Sequence, residues 1–177
     1  MDWTKFNNHG ESNNHAFEVM CNLIFESWCR ETYQDKLEQF AFVNGNGGDG
    51  GVEAYGILSN GNIVGVQSKW FPNKLEDVQI RQIENSFKMA LKVRPNISRY
   101  IVCIPRDLNS KRIVKKGKKA KNTESDKWEE MVRKFKSFYP NVEIILWDES
   151  TIQEKITRPT SQGIYKYWFE NTVLSVS

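Results

Sequence analysis

The chain has 177 residues, 39% hydrophobic and 12% aromatic, which suits a single domain with a sizeable core. No apolar run approaches the roughly 18 residues of a membrane span. The opening MDWTKFNNHG lacks the apolar stretch of a secretion signal, so the expected setting is cytoplasmic, away from any membrane. The formal net charge of +3 is unevenly spread: the run KRIVKKGKKAK, from Lys111 to Lys121, carries seven bases and no acid, and the remainder is net acidic. Such a run suits a phosphate backbone, and it equally suits a solvated loop. The three cysteines, Cys21, Cys29 and Cys103, are odd in number and show no CxxC spacing. That argues against a disulfide framework or a zinc site, and buried free thiols are expected.

In chain order, residues 15–31 read as an amphipathic helix. Phe17, Met20, Cys21, Ile24, Phe25 and Trp28 recur on one face at the helical period, and Ser12, Asn13 and Asn14 are available to cap its start. A short strand is expected at Phe40–Val43. Gly45 to Gly51, five glycines in seven residues, is a loop. Val52–Leu58 and Ile63–Phe71 flank Ser59-Asn60-Gly61-Asn62, and Asn-Gly between two apolar runs predicts an antiparallel hairpin. Asp77–Lys92 is a second helix, with Asp77 as its cap, Ile80, Ile83, Phe87, Ala90 and Leu91 as its apolar stripe, and Pro95 beyond its end. Arg99–Ile104 reads as a strand buried on both faces. Thr123 and Asp126 form a capping-box start to a third helix, whose stripe is Trp128, Met131, Val132 and Phe135. Val142–Trp147 is another buried strand. Asp148 or Ser150 caps a last short helix carrying Ile152 and Ile156, and an aromatic tail follows (Tyr165, Tyr167, Trp168, Phe169). Helices on both faces of a small mixed sheet, a three-layer α/β/α sandwich of the α/β class, is the architecture this order predicts.

The chemistry is concentrated in the hairpin. Side chains at i and i+2 share a face of a strand, so Gln67 and Lys69 project together while Val66 and Ser68 point the other way. Glu53 lies on the partner strand, just after the glycine-rich loop. A carboxylate and an ammonium among apolar residues are costly to bury unpaired. A structural salt bridge across the hairpin explains them, and spacing alone favours it. A hydrolytic metal site explains them too: the carboxylate holds Mg²⁺ through oxygen and the lysine assists an activated water. Asp49, in the glycine-rich loop, is a favoured turn residue and also a candidate ligand. His9 and His15 have no partner motif and read as surface or cap positions. Gln79 and Gln82 read as solvated helix positions, and Trp70 and Phe71 as packing residues at the strand end. The glycine-rich loop lacks the lysine and the following helix of a nucleotide site.

The stretch GGDGGVEAYGILSNGNIVGVQSKW, beginning at Gly47, resembles the signature of the Mrr-like branch of the PD-(D/E)xK nuclease superfamily. That signature comprises a glycine-rich stretch, an acidic strand residue, a hairpin turn and Q-x-K. By position Glu53 matches the acidic residue, Gln67 the middle element and Lys69 the lysine. The preceding helix, FEVMCNLIFESW, resembles the family's first helix, and Glu18 matches the glutamate which that helix contributes. The resemblance spans roughly residues 12–105. It implies a restriction-endonuclease-like core and a Mg²⁺- or Mn²⁺-dependent DNA endonuclease of low sequence specificity. Catalysis would fall to Glu53, Gln67, Lys69 and Glu18, and metal binding to Glu53, Gln67, the Ser68 carbonyl and Asp49. Lys115, Lys116, Lys118, Lys119 and Lys121 would then contact phosphates. A more particular likeness, which the closing KYWFEN supports, is to the N-terminal nuclease domains of bacterial antiviral NTPases of the STAND class. It implies double-stranded DNA as partner, antiphage defence as role, and a homo-oligomer or larger NTPase assembly. The 177 residues would be one nuclease domain and the N-terminal part of a longer chain, since no GxxxxGK[ST] loop is present. Two positions depart from the pattern: the family often has Asp where this chain has Glu53, and Gln67 is a neutral, poorer ligand than a carboxylate. A non-catalytic nucleic-acid-binding or assembly module on the same fold is the alternative.

Overall fold

The computed structural model describes residues 1–43, 50–110 and 122–170. Helix α1 runs Asn13–Tyr33, strand β1 Leu37–Phe42, β2 Ala54–Leu58 and β3 Ile63–Ser68. Helix α2 (Asp77–Val93), strand β4 (Ile97–Cys103), helix α3 (Glu124–Phe138), strand β5 (Glu143–Trp147) and helices α4 (Glu149–Ile156) and α5 (Gln162–Phe169) complete the order. The strands form one sheet in the order β1-β2-β3-β4-β5. β1, β2 and β3 are antiparallel neighbours, whereas β4 runs parallel to both β3 and β5. The α/β sandwich with a mixed sheet is therefore as the element order predicts.

Alternation along the strands divides the core in two. Val64, Val66, Ile101 and Cys103 face α1, where Phe17, Met20, Cys21, Ile24 and Phe25 meet them together with Ile152 and Ile156 of α4 and Trp168 of α5. Tyr100, Val102 and Ile104 face the other way, towards Ile83, Phe87 and Ala90 of α2 and Trp128, Met131 and Phe135 of α3. β4 is apolar on both sides because both faces are covered.

Ends differ from expectation more than elements do. Ser12 is the residue that caps α1, its Oγ accepting from His15 N at 3.1 Å. The cap of α2 is Glu76 rather than Asp77, and Gln79 is part of it, its Oε1 accepting from Glu76 N at 3.0 Å. Thr123 and Asp126 form the capping box of α3, and Asp148 caps α4. The tail is a helix in its own right, α5. Trp168 is buried in the core and Phe169 packs on Trp3 and Phe6, while Tyr167 stacks on His9. The three cysteines are free and buried. Among the described residues no helix is long and apolar enough to cross a membrane.

Candidate active site

The hairpin strands separate two residue pairs earlier than the sequence suggests, and that separation builds the site. The last β2–β3 pair is Ala54 with Val66. Glu53 is still anchored on both sides through its backbone: its N–H donates to Val66 O and its carbonyl accepts from Val43 N, each at 2.8 Å. Before Glu53 the chain bends away, because Gly51 is pressed against α2. Gly51 has φ +79°, and a Cβ there would stand 2.1 Å from Ser86 O and 2.6 Å from Ala90 N. Tyr100 fixes the turn by donating its hydroxyl to Gly51 O at 2.6 Å. Gly50 (φ +61°) and Gly51 thus supply a left-handed backbone and a close approach to the helix, and β3 is left without a β2 backbone partner beyond Val66.

The Glu53 carboxylate fills the opening. Its Oε2 accepts from the Ser68 backbone N–H at 2.9 Å, and its Oε1 accepts from Gln67 Nε2 at 2.8 Å. The carboxylate therefore stands where the next ladder acceptor would be. Gln67 Nε2 also approaches Ser68 O at 3.5 Å, while Gln67 Oε1 is buried and has no hydrogen-bond partner among the described residues. Glu53 and Gln67 are 3% and 5% exposed, so both polar groups are held away from bulk water.

The salt bridge that spacing alone favours is not the pairing found: Glu53 accepts from an amide side chain and a backbone N–H. Lys69 lies one residue past β3. Its N–H still donates to Cys103 O at 2.9 Å, and Phe71 N bonds back to Lys69 O, turning the chain before Pro72. The expected strand to Phe71 therefore stops at Ser68, and Lys69 sits half-buried at the sheet end. Its ammonium joins no ion pair among the described residues.

Ser68 contributes its backbone only. Its side chain points to the α1 face, against the Cys21 thiol, whose pKa is raised first by burial and then by the neighbouring Cys103. Glu18 is half-buried on the turn of α1 that ends at Cys21. The residue before it, Phe17, has its ring centroid 5.4 Å from that of Trp70, so this turn lies behind the end of β3. Asp49 and Lys115, Lys116, Lys118, Lys119 and Lys121 lie outside the described residues. Of the other candidates, Trp70 packs against Trp3, Phe6 and Phe17, and Phe71 packs with the α2-side core. Gln82 and His15 are exposed. His9 Nε2 lies 2.6 Å from Tyr167 O.

One buried carboxylate at this end of the sheet has no counterpart in the sequence reading. Glu124, 1% exposed at the start of α3, accepts from Leu75 N at 2.5 Å, Asn109 N at 2.9 Å and Arg106 Nη2 at 2.8 Å. It ties the segments that follow β3 and β4 to α3. An acid in the first turn of a helix is ordinary, so nothing local distinguishes it; its partners are what make it special.

Among the described residues no three His, Cys, Asp or Glu side chains cluster as a metal site. Among the described residues the donors near Glu53 are oxygens: its carboxylate, the Gln67 Oε1, which has no hydrogen-bond partner among them, and the Ser68 carbonyl. This set fits a hard, oxygen-preferring divalent cation, with a single full negative charge to hold it. No family model matches the chain, and no curated protein matches it.

Proposed function

We propose that the chain is a Mg²⁺- or Mn²⁺-dependent endonuclease of Mrr-like, restriction-endonuclease-like type that hydrolyses DNA phosphodiester bonds with low sequence specificity. One observation carries the reading: where the β2–β3 ladder opens, the buried Glu53 carboxylate meets the Gln67 amide, whose Oε1 has no hydrogen-bond partner among the described residues, and Lys69 follows one residue past β3. A structural cap of the ladder needs neither the spare amide oxygen nor the lysine. The cation, when bound, supplies charge neutralisation at the scissile phosphate and a more acidic water. Glu53 and Gln67 with the Ser68 carbonyl provide oxygen ligands. The Lys69 ammonium hydrogen-bonds the attacking water or a phosphate oxygen, and Glu18 brings a second carboxylate from α1.

Lys115, Lys116, Lys118, Lys119 and Lys121 supply contacts to phosphates that carry no sequence information. The partner in this reading is double-stranded DNA, cut by a homo-oligomer or by a larger NTPase assembly in antiphage defence, with control residing in assembly. The second reading, a non-catalytic nucleic-acid-binding module, draws on a specific feature: both Glu53 oxygens already accept N–H donors.

Supercoiled plasmid separates the two. Wild type, Lys69→Ala and the Glu53→Ala/Lys69→Ala double variant are incubated over rising protein concentration with Mg²⁺, Mn²⁺ or EDTA. Metal-dependent nicking by wild type alone, with Lys69→Ala still folded and still binding DNA, is the expected result. Equal nicking by all three sinks the assignment, and DNA binding without cleavage at any concentration favours the binding module.

A further inference from the structure

The hydrogen bonds around Gln67 show more than a capped carboxylate. Its Nε2 sits between two oxygens, 2.8 Å from Glu53 Oε1 and 3.5 Å from Ser68 O. The amide presents its two N–H groups to an acceptor pair, as a cation would present its charge. The carboxylate also decides which end of the amide faces it, because an amide oxygen at 2.8 Å from Glu53 Oε1 would be repelled. The other end, Oε1, is left buried without a hydrogen bond among the described residues. A buried acceptor in that state is destabilising, so the observed orientation satisfies Glu53 at the expense of Gln67.

A half-turn of the amide about its last side-chain bond exchanges Nε2 and Oε1. It would place three oxygens, from Glu53, Gln67 and Ser68, at spacings near those now measured to Nε2. Adjacent oxygens around an octahedral Mg²⁺ with ligands at about 2.1 Å lie about 3.0 Å apart, between the 2.8 Å edge and the 3.5 Å one. Glu53 Oε2 need not move, since the rigid Ser68 backbone N–H holds it at 2.9 Å.

From this we infer that the Gln67 amide is a two-position latch: its N–H groups hold the Glu53 and Ser68 oxygens when no cation is bound, and its Oε1 takes the Nε2 position, facing a cation beside those oxygens, when one binds. The inference rests on Glu53 being a cation ligand, as proposed above, and adds how that site is kept closed. Gln67 is on this account a positioning residue as well as a ligand. A carboxylate at position 67 could not donate to Glu53, so it would open the latch and add charge.

The test uses the ¹⁵N-labelled chain. The side-chain NH₂ pair of Gln67, assigned through its bond correlations, is followed during Mg²⁺ titration while calorimetry measures Mg²⁺ affinity. Loss of the carboxylate hydrogen bond is expected to shift both NH₂ signals, with the midpoint that calorimetry gives. Glu53→Gln should abolish the shift and the heat together, and Gln67→Glu should bind Mg²⁺ at least tenfold more tightly. Glu53-dependent Mg²⁺ binding with unmoved Gln67 NH₂ signals overturns the latch and leaves the cation site standing. Absence of Glu53-dependent Mg²⁺ binding up to tens of millimolar overturns the cation site, and the latch with it.

Discussion

At position 51 two constraints coincide, a positive φ and a backbone pressed on Ser86 O and Ala90 N of α2. Gly51→Ala is expected to destabilise the fold by about 3 kcal/mol, from overpacking at about 1–3 kcal/mol and left-handed strain at about 1–2 kcal/mol. Urea unfolding monitored by tryptophan fluorescence measures this. The same substitution should impair the Glu53 site, because the bend at Gly51 is what turns that carboxylate into the ladder opening. Glu124 governs a different property. Burial pushes its pKa up, but hydrogen bonds from Arg106, Leu75 N and Asn109 N outweigh burial and hold it below its ordinary 4.5. A depressed carboxyl contributes its full stabilisation above the unfolded-state pKa and loses it as pH falls through the folded-state pKa. Glu124→Gln should therefore cost about 1.5–3 kcal/mol at neutral pH, the worth of hydrogen bonds to a charged group. The Tm gap between wild type and variant should hold from pH 7 to about 5 and narrow below about pH 4.

Individual elements were legible in the sequence wherever one local rule sufficed. The apolar stripes of α1, α2 and α3 follow the helical period, and Thr123 with Asp126 marks the start of α3 by side-chain chemistry that acts within one turn. Thr123→Ala should accordingly cost about 1 kcal/mol, measurable as a lower urea midpoint with unchanged slope. Asn60-Gly61 marks the hairpin for the same reason, since Gly61 takes φ +86° in the turn. The pairing of Glu53 with Gln67 is half-legible: the sequence puts the two on partner strands of the hairpin. What escaped was the strand separation at Ala54, which depends on Gly51 meeting a helix 35 residues further on and a tyrosine 49 residues on. No local pattern encodes either contact. Without them Glu53 and Lys69 look like a salt bridge, and with them the carboxylate meets Gln67 and Ser68 N instead. α5 escaped for a related reason. Its segment, QGIYKYWF, has too little polar–apolar alternation to declare a face, and it takes one only against Trp3, Phe6 and the core.

For the molecule as a whole, the basic run 111–121 is set in an otherwise net acidic chain. If it contacts duplex DNA, each neutralised phosphate adds about 0.9 to the slope of log affinity against log salt. Replacing Lys115, Lys116, Lys118, Lys119 and Lys121 by Gln should flatten that slope by up to about 4.5, measured by fluorescence anisotropy over a salt series. A slope unchanged by those five substitutions would remove the run from the interface. Stability should change little, because the described flanks of the run are fastened to each other. Asn109 N donates to Glu124 Oε2 at 2.9 Å and Ser125 N donates to Asn109 O at 3.2 Å. The fastening has a consequence for how the chain can be supplied. The piece that ends before the run carries α1, four of the strands and α2; the piece that begins after it carries α3, β5, α4 and α5. Both layers of core and the β4–β5 ladder cross between the two pieces, and the loop-closure entropy that the covalent link saves grows only slowly with length. Two separately made fragments divided within that run should reassemble on mixing into one folded particle, and restore whatever activity the intact chain has.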